Sequence, residues 1–278
     1  MLFTDHLVLL RGGGDLATGV AYRLHKAGLP IIVLELEQPL VVRRRVALAT
    51  AVLEGQTRVE DLHARRVDTP TEALKSAHTG IIPVLIAPEL PPLISNLQSP
   101  ISILVDGRMA KRNIDTCIDQ APLVIALGPG FTAGVDCHVV IETMRGHRLG
   151  RVIWKGMALP NTGTPGIVAG KGAERVLRAP VAGIVDWRLG IGDYVAAGDV
   201  IGFVEREPVV APFAGVLRGL IAPGTAVRAG LKIGDLDARA DRSACFTISD
   251  KALAIGGGVL EAVLICLNRT QINANDAD

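Results

Sequence analysis

A 32-residue internal repeat constrains this chain more than any other feature. Pro180-Val-Ala-Gly-Ile-Val185 recurs as Pro212-Phe-Ala-Gly-Val-Leu217. At the same offset Gly192 meets Gly224, Val195 meets Val227, Ala197-Gly198 meets Ala229-Gly230, and Ile201-Gly202 meets Ile233-Gly234. Turn glycines held in register with alternating apolar positions specify short strands. Each copy is too small to bury its own apolar face, so the copies form two intertwined β units. This sets off a small all-β module at 177–237.

Ahead of it, the chain reads as α/β, with a Rossmann-like parallel sheet over 1–176. Leu7-Val-Leu-Leu10 is an apolar strand and Arg11-Gly-Gly-Gly-Asp15 a turn. Ala17, Val20, Ala21 and Leu24 follow at helical spacing. Gly28 stands where a helix C-cap glycine belongs, with Pro30 behind it, and Ile31 to Glu35 is the next strand. Further strands are predicted at Gly80 to Ala87, Ile101 to Val105, Leu123 to Leu127, Val139 to Glu142 and Arg151 to Trp154. Helices are predicted at Val41 to Glu54 and Thr69 to Ala77. After the β module, Gly256-Gly-Gly258 precedes an apolar helix, Val259 to Leu267. The segment 240–270 is predicted to pack back on the first sheet, and 271–278 to form a disordered tail.

With 278 residues, 49% of them hydrophobic, the chain can bury a sizeable core. Its 29 Lys and Arg balance 28 Asp and Glu, so no whole-molecule field attracts a polyanion. Aromatics are 3%, too few for base-stacking platforms, and no nucleic-acid partner is expected. Cys117, Cys137, Cys245 and Cys266 are widely spaced, which disfavours a disulfide framework or a zinc knuckle. No apolar run reaches the roughly 18 residues a membrane helix needs, and the start lacks a secretory pattern. The expectation is a cytoplasmic protein with no membrane partner. A homo-oligomer is compatible with the sequence.

Four glycine-rich turns could carry chemistry. Gly12-x-Gly14-x-x-Ala17 follows a strand and opens a helix, the context in which backbone N–H groups approach a pyrophosphate. Gly13 and Thr18 group with it as candidate ligands. Glu35 and Glu37 lie where an acid would hold a ribose hydroxyl. Arg11 replaces the usual apolar residue, and Asp15 adds a negative charge that could instead cap the helix. A ligand-free strand–helix turn is the alternative. Arg43-Arg44-Arg45 could accept an anion or form a solvated basic face. Gly128-Pro-Gly130-Phe-Thr132-Ala-Gly134 ends a strand and could form an anion nest. His138, His147 and a carboxylate match no metal motif, so no metal is assigned. Asn161-Thr-Gly-Thr-Pro-Gly166 could be a binding turn or a linker. Lys251 with Gly256 and Gly257 could hold an anion ahead of a helix or form a plain loop–helix junction. Cys137 and Cys245 read as buried apolar residues rather than nucleophiles. No hydrolase or P-loop motif is present.

Several longer segments form a pattern together. They are Arg11-Gly-Gly-Gly-Asp-Leu-Ala-Thr-Gly19, Arg43-Arg44 and Leu127-Gly-Pro-Gly-Phe-Thr-Ala-Gly-Val-Asp136. With them go Ile141-Glu-Thr-Met-Arg-Gly-His-Arg-Leu-Gly-Arg151, Asn161 to Gly166, and Ile248-Ser-Asp-Lys-Ala252 ahead of Gly256-Gly-Gly-Val-Leu-Glu261. Nearly end to end, the chain resembles the YqeB-like accessory proteins of the selenium-dependent molybdenum hydroxylase system. The resemblance implies maturation or cofactor handling for a client hydroxylase of the xanthine dehydrogenase type. It implies no settled reaction and no catalytic residue. The 32-residue repeat separately resembles the barrel-sandwich hybrid of biotinyl and lipoyl carriers. Those carriers place a lysine in the hairpin between the halves. Here Val204-Glu-Arg-Glu-Pro-Val209 has none, so covalent biotin or lipoate is not expected.

The leading expectation is an accessory protein that binds a phosphate-bearing cofactor, a molybdopterin dinucleotide or NAD(P), at the glycine-rich turns. Arg11 and Arg43 to Arg45 would neutralise phosphate, and the β module would contact the client. The alternatives are an NAD(P)-dependent oxidoreductase and a non-catalytic scaffold that docks the hydroxylase.

Overall fold

The computed structural model describes residues 2–90, 101–164 and 166–275. It is a mixed α/β structure built on one large, mostly parallel sheet. In chain order the first part comprises β1 (Leu7–Arg11), α1 (Asp15–Lys26), β2 (Ile31–Glu35), α2 (Thr50–Glu54), β3 (Gln56–Val59), β4 (Leu62–Val67), α3 (Pro70–Ala77), β5 (Ile82–Ile86) and β6 (Ile101–Asp106). Then come β7 (Leu123–Leu127), β8 (Thr132–Ala133), β9 (Val139–Ile141), β10 (Val152–Ile153) and β11 (Gly156–Met157).

The nine strands of the large sheet run β10-β9-β7-β6-β1-β2-β5-β4-β3. The inner pairs are parallel, and only the outermost pair on each edge is antiparallel. The uninterrupted apolar runs of β1, β2 and β7 suit this, because an inner parallel strand is covered on both faces. Val8, Leu10, Ile31 and Val33 face one core, which α1 covers. Leu7, Leu9, Ile32 and Leu34 face the other, with Ala73 and Ala77 of α3. At the start of α3, Pro70 takes the first turn and the Thr69 hydroxyl accepts from Glu72 N at 3.2 Å.

Two local expectations need correction. Val41 to Glu54 is not one helix. A single 3₁₀ turn, Arg44–Val46, precedes the short α2. Tertiary acceptors override helical spacing here. Ala49 N donates to Gly13 O at 2.9 Å, and Arg43 and Arg44 are drawn to carbonyls in other parts of the chain. The hairpin β3–β4 was not predicted. Its charged edge residues hide the period of two that Leu62 and Ala64 begin.

The β module comprises β12 (Val176–Arg178), β13 (Gly183–Trp187), β14 (Tyr194–Val195), β15 (Val200–Val204), β16 (Glu207–Val210), β17 (Gly215–Leu220), β18 (Ala226–Val227) and β19 (Lys232–Asp237). Its two sheets run β12-β19-β17-β14 and β16-β15-β13-β18. Adding the repeat offset turns every strand of one half into a strand of the other, and one sheet into the other. Each sheet therefore mixes strands from both halves. Repeat-related pairs share one core: Leu177 with Val209, Val185 with Leu217, Val195 with Val227, and Ile201 with Ile233.

The chain then returns to the first part as α4 (Asp250–Asn275), which lies along α1. Gly256, Gly257 and Gly258 sit inside this helix, which corrects the expectation of a loop ahead of it. Helix contact is the reason. A Cβ on Gly256 would collide with Gly19 O of α1, and one on Gly258 with Gly150 O. Of the tail expected at 271–278, residues 276–278 lie outside the described residues. No helix among the described residues is long and apolar enough to cross a membrane.

Candidate functional site

The order of the large sheet reverses between β1 and β6. From β1 the chain builds outward through β2 and β5, then returns to place β6, β7 and β9 on the other side. Such a reversal opens a crevice at the carboxyl ends of the strands, where open α/β sheets bind ligands. A cleft of about 1600 Å³ occupies this position. That exceeds the roughly 300–1,000 Å³ of an ordinary small-molecule pocket. One wall comes from the ends of β1, β2 and β6. The other comes from the β module, through Arg178, Arg218, Lys232 and Asp235, with Arg175 just ahead of it. Ser249 and Lys251, at the start of α4, close one side.

The first glycine loop forms the floor, and its three glycines differ in physical role. Gly12 has φ +90, and a Cβ there would stand 3.1 Å from Arg108 Cα. At Gly13 a Cβ would meet Ala49 N at 2.8 Å. Gly14 has an ordinary φ of −65, and a Cβ would meet nothing within 4 Å. It is the N-cap of α1 without a side-chain cap, so the first N–H groups of the helix are left toward the cleft.

Glu35 pins this loop. Its Oε1 accepts from Gly13 N at 2.8 Å and its Oε2 from Leu36 N at 2.7 Å, while burial pushes its carboxyl up. A carboxylate still has lone pairs to offer a hydroxyl.

Arg11 is committed elsewhere. It is 2% exposed and bonds Asp115 at 2.6 Å. Asp115 and Asp106 also take Arg108, at 2.7 and 2.6 Å, and the Thr116 hydroxyl donates to Asp106 at 2.6 Å. Two arginines and two aspartates thus neutralise one another. This network fixes the loop after β6, where Met109 and Lys111 hold φ of 56 and 62, the left-handed region that costs non-glycine residues energy.

The cleft brings together Arg11, Gly12, Gly14, Asp15, Glu35, Arg43 and Lys251 of the sequence-predicted set. The predicted turn Asn161 to Gly166 lines it as well, through Asn161, Thr162, Gly163, Thr164 and Gly166, and the remaining predicted ligands do not. Gly13 is used internally, as described. Thr18 is buried, donating to Gly14 O at 2.9 Å and accepting from Leu48 N at 3.0 Å. Arg44 donates to Leu220 O at 2.8 Å, so it joins the two parts of the chain. In the Gly128–Gly134 turn the N–H groups of Gly128, Thr132 and Gly134 are spent locally, the first on Ile141 O at 2.9 Å. Thr132 N donates to Asp136 at 2.7 Å and Gly134 N to Cys137 O at 2.8 Å. Gly128 and Gly130, both at positive φ, lie against Thr143 and Arg112. Gly256 and Gly257 belong to α4, and Gly256 is packed on α1. The Cys137 thiol is buried and pushed up to about 12, which leaves it unreactive. Among the described residues no three His, Cys, Asp or Glu side chains group as metal ligands.

Sequence reasoning missed Arg108, Lys111, Arg145, Arg175, Arg178, Arg218 and Lys232. The repeat held a signal for three positions. Arg218 faces the cleft where its repeat partner is Asp186, Lys232 where it is Val200, and Asp235 where it is Phe203. A repeat that changes charge at matched positions marks the face on which its halves differ in task. Lys232 and Lys251 are both held below the ordinary lysine range, chiefly by burial, then by Arg175 and Arg145 respectively.

No protein-family model matches the chain. Among solved structures, an aspartoacylase family protein from Mesorhizobium loti MAFF303099 aligns at 16% identity and a TM-score of 0.27, over 84% of this chain and 85% of that one. A succinylglutamate desuccinylase/aspartoacylase from Rhodobacter sphaeroides gives the same values. Likenesses this slight carry no argument about this chain. In sequence, the "uncharacterized protein YqeB" of Escherichia coli (strain K12) is 48% identical over 263 residues, 95% of this chain. Along nearly its whole length the chain is therefore YqeB-like, and it spans about half (48%) of the length of that curated relative.

Proposed function

We propose that the chain binds a phosphate-bearing cofactor, a molybdopterin dinucleotide or NAD(P), in this cleft. We further propose that it handles this cofactor as an accessory protein for a molybdenum hydroxylase of the xanthine dehydrogenase type. The client rests on the motif resemblance given above, and the ligand class on the geometry.

The observation that carries the ligand class is the floor around Gly14. An uncapped helix N-terminus opens at the switch point of a parallel sheet, with room in front of it and cations around it. Glu35, at the end of β2, would take a ribose hydroxyl. We read the large sheet as Rossmann-like and the β module as a barrel-sandwich hybrid. The exchange of strands between its repeat halves supports the latter. Its hairpin has no acceptor lysine, in keeping with a non-covalent role.

The test is native mass spectrometry of the protein purified from a host that makes molybdenum cofactor. The wild-type chain is expected to retain a pterin dinucleotide or NAD(P), and Gly14→Val to lose it. Valine fits the backbone at this position but fills the space before the helix. Retention unchanged in Gly14→Val sinks the placement. Retained NAD(P) with turnover of a carbonyl substrate would replace the accessory reading with an oxidoreductase.

A further inference from the structure

We infer that the β module supplies one jaw of a pyrophosphate clamp, in which Arg218 and Lys232 face Arg43 and the N-terminus of α1 across the cleft. This rests on the cofactor reading above and adds which residues hold the anion, and that both parts of the chain are needed.

Arg43 and Arg218 carry the inference. Both line the cleft, and both are more than nine-tenths buried, at 8% and 7% exposed. The Nε of each is buried without a hydrogen-bond partner among the described residues. Leaving a buried charged donor unpaired costs free energy. The two guanidinium groups also repel each other. The nearby carboxylates are already engaged. Asp235 bonds Arg175 at 2.5 Å and stands 4.0 Å from Arg218. Asp237 accepts the Arg239 side chain at 2.6 Å and stands 3.8 Å from Arg218. Asp15 is 3.7 Å from Arg43. Arg43 spends one Nη on Ala244 O at 2.8 Å, and otherwise the two buried, mutually repelling arginines meet carboxylates only at 3.7 to 4.0 Å, which leaves donors to offer an anion.

The kind of anion follows from the donors. Guanidinium groups present planar, paired donors that match phosphate oxygens. Two arginines, a lysine and a helix N-terminus exceed what one monoanion neutralises. They match the adjoining phosphates of a pyrophosphate. The repeat gives independent support. The opposite sheet has Asp186, Val200 and Phe203 where the cleft sheet has Arg218, Lys232 and Asp235, so the module's core closes without this cluster of charges, and the cluster belongs to the cleft face.

The experiment is calorimetric titration of the full chain with inorganic pyrophosphate, together with the shift in melting temperature that pyrophosphate produces. The variants are Arg218→Gln, Arg218→Lys, and Arg206→Gln in the exposed hairpin of the other sheet as a control of equal charge change. Wild type is expected to bind and to melt higher with pyrophosphate. Arg218→Gln is expected to bind at least about tenfold more weakly without lowering the ligand-free melting temperature. Arg218→Lys should recover part of the affinity, and Arg206→Gln should match wild type. ADP that binds more tightly than pyrophosphate identifies the pyrophosphate as part of a nucleotide, and equal affinity identifies the free ion.

The clamp is overturned if wild type does not bind pyrophosphate. It is also overturned if Arg218→Gln binds as wild type does, or if that variant merely melts lower and keeps its pyrophosphate shift. The cofactor reading fails separately. Cofactor lost in Gly14→Val with pyrophosphate affinity unchanged in Arg218→Gln removes the clamp alone. Cofactor unaffected by Gly14→Val, with Arg218→Gln impaired, removes the α1 placement alone.

Discussion

Among single residues, Asp15 tests the proposed anion site through its charge. Its carboxylate lies at the first turn of α1, within the fields of Arg43, Lys232 and Lys251. It favours the helix end electrostatically, and it occupies charge that a phosphate would otherwise meet. Asp15→Asn is therefore expected to tighten pyrophosphate binding several-fold, about 1 kcal/mol or less for a half-exposed charge, as read by calorimetric titration. An unchanged or weaker affinity would place the carboxylate outside the anion's reach. The lysines add a pH dependence. Lys232 faces Asp235, Arg175, Asp15 and Arg218, while Lys251 faces Arg145, Asp15, Glu142 and Asp250. Both are held below the ordinary value of about 10.4. A bound anion favours their charged forms, so affinity should fall as pH rises toward that value, and binding in that range should take up protons. Stability of the ligand-free fold moves the other way, because the unfolded chain binds these protons more tightly. Titrations in buffers of different ionisation heat would show whether proton uptake occurs.

At the scale of elements, the crossing of α1 and α4 separates glycines that are required from one that is not. Gly256 lies against the Gly19 carbonyl, whereas a Cβ on Gly257 would meet nothing within 4 Å. Gly256→Ala should destabilise by about 1–3 kcal/mol through overpacking. Gly257→Ala should stabilise by about 0.5–1 kcal/mol through helix propensity. Denaturant melts of the two variants should thus move in opposite directions, and a parallel shift would mean that the helices do not cross here. The same glycines explain why this region was misread from sequence. A glycine triplet reads as a chain breaker, and only the neighbouring helix reveals it as a contact surface. The opening strand–turn–helix–strand was legible because long apolar runs and a helical stripe repeat over enough residues to be unmistakable. The edge hairpin β3–β4 was not, since its strands are short and four of their ten residues are exposed and polar or charged. Ala252, Ile255, Val259, Ala262 and Val263 of α4 are 0–1% exposed and belong to the core over β1 and β2. A chain ending at Asp241 should therefore lose cooperative unfolding and bind a hydrophobic dye. A sharp melt in that truncated chain would show that the sheet needs no cover from α4.

For the whole molecule, the cleft exists because two parts of the chain are held at one separation. Half of it was visible in sequence, as a glycine loop after a strand. The other half was hidden, because no local pattern says that Arg218 and Lys232 face Gly14 across some 200 residues of chain. What holds the separation is a short seam. Arg44 Nε donates to Leu220 O at 2.8 Å, Arg43 donates to Ala244 O at 2.8 Å, and Ile248 N donates to Glu60 at 2.8 Å. Gly219 adds a close approach, since a Cβ there would stand 2.8 Å from Val42 O. Arg44 separates positioning from contact, because it spans this seam but does not line the cleft. If the two walls act together, Arg44→Ala should weaken pyrophosphate by about fivefold, the equivalent of ~1 kcal/mol of lost positioning. Both parts should stay folded by circular dichroism, and amide exchange should quicken along the seam. Arg44→Lys, which can still reach a carbonyl, should restore most of the affinity. Full affinity in Arg44→Ala would mean that each wall holds its share of the anion without the other's help, and the ligand itself would then draw the two parts together.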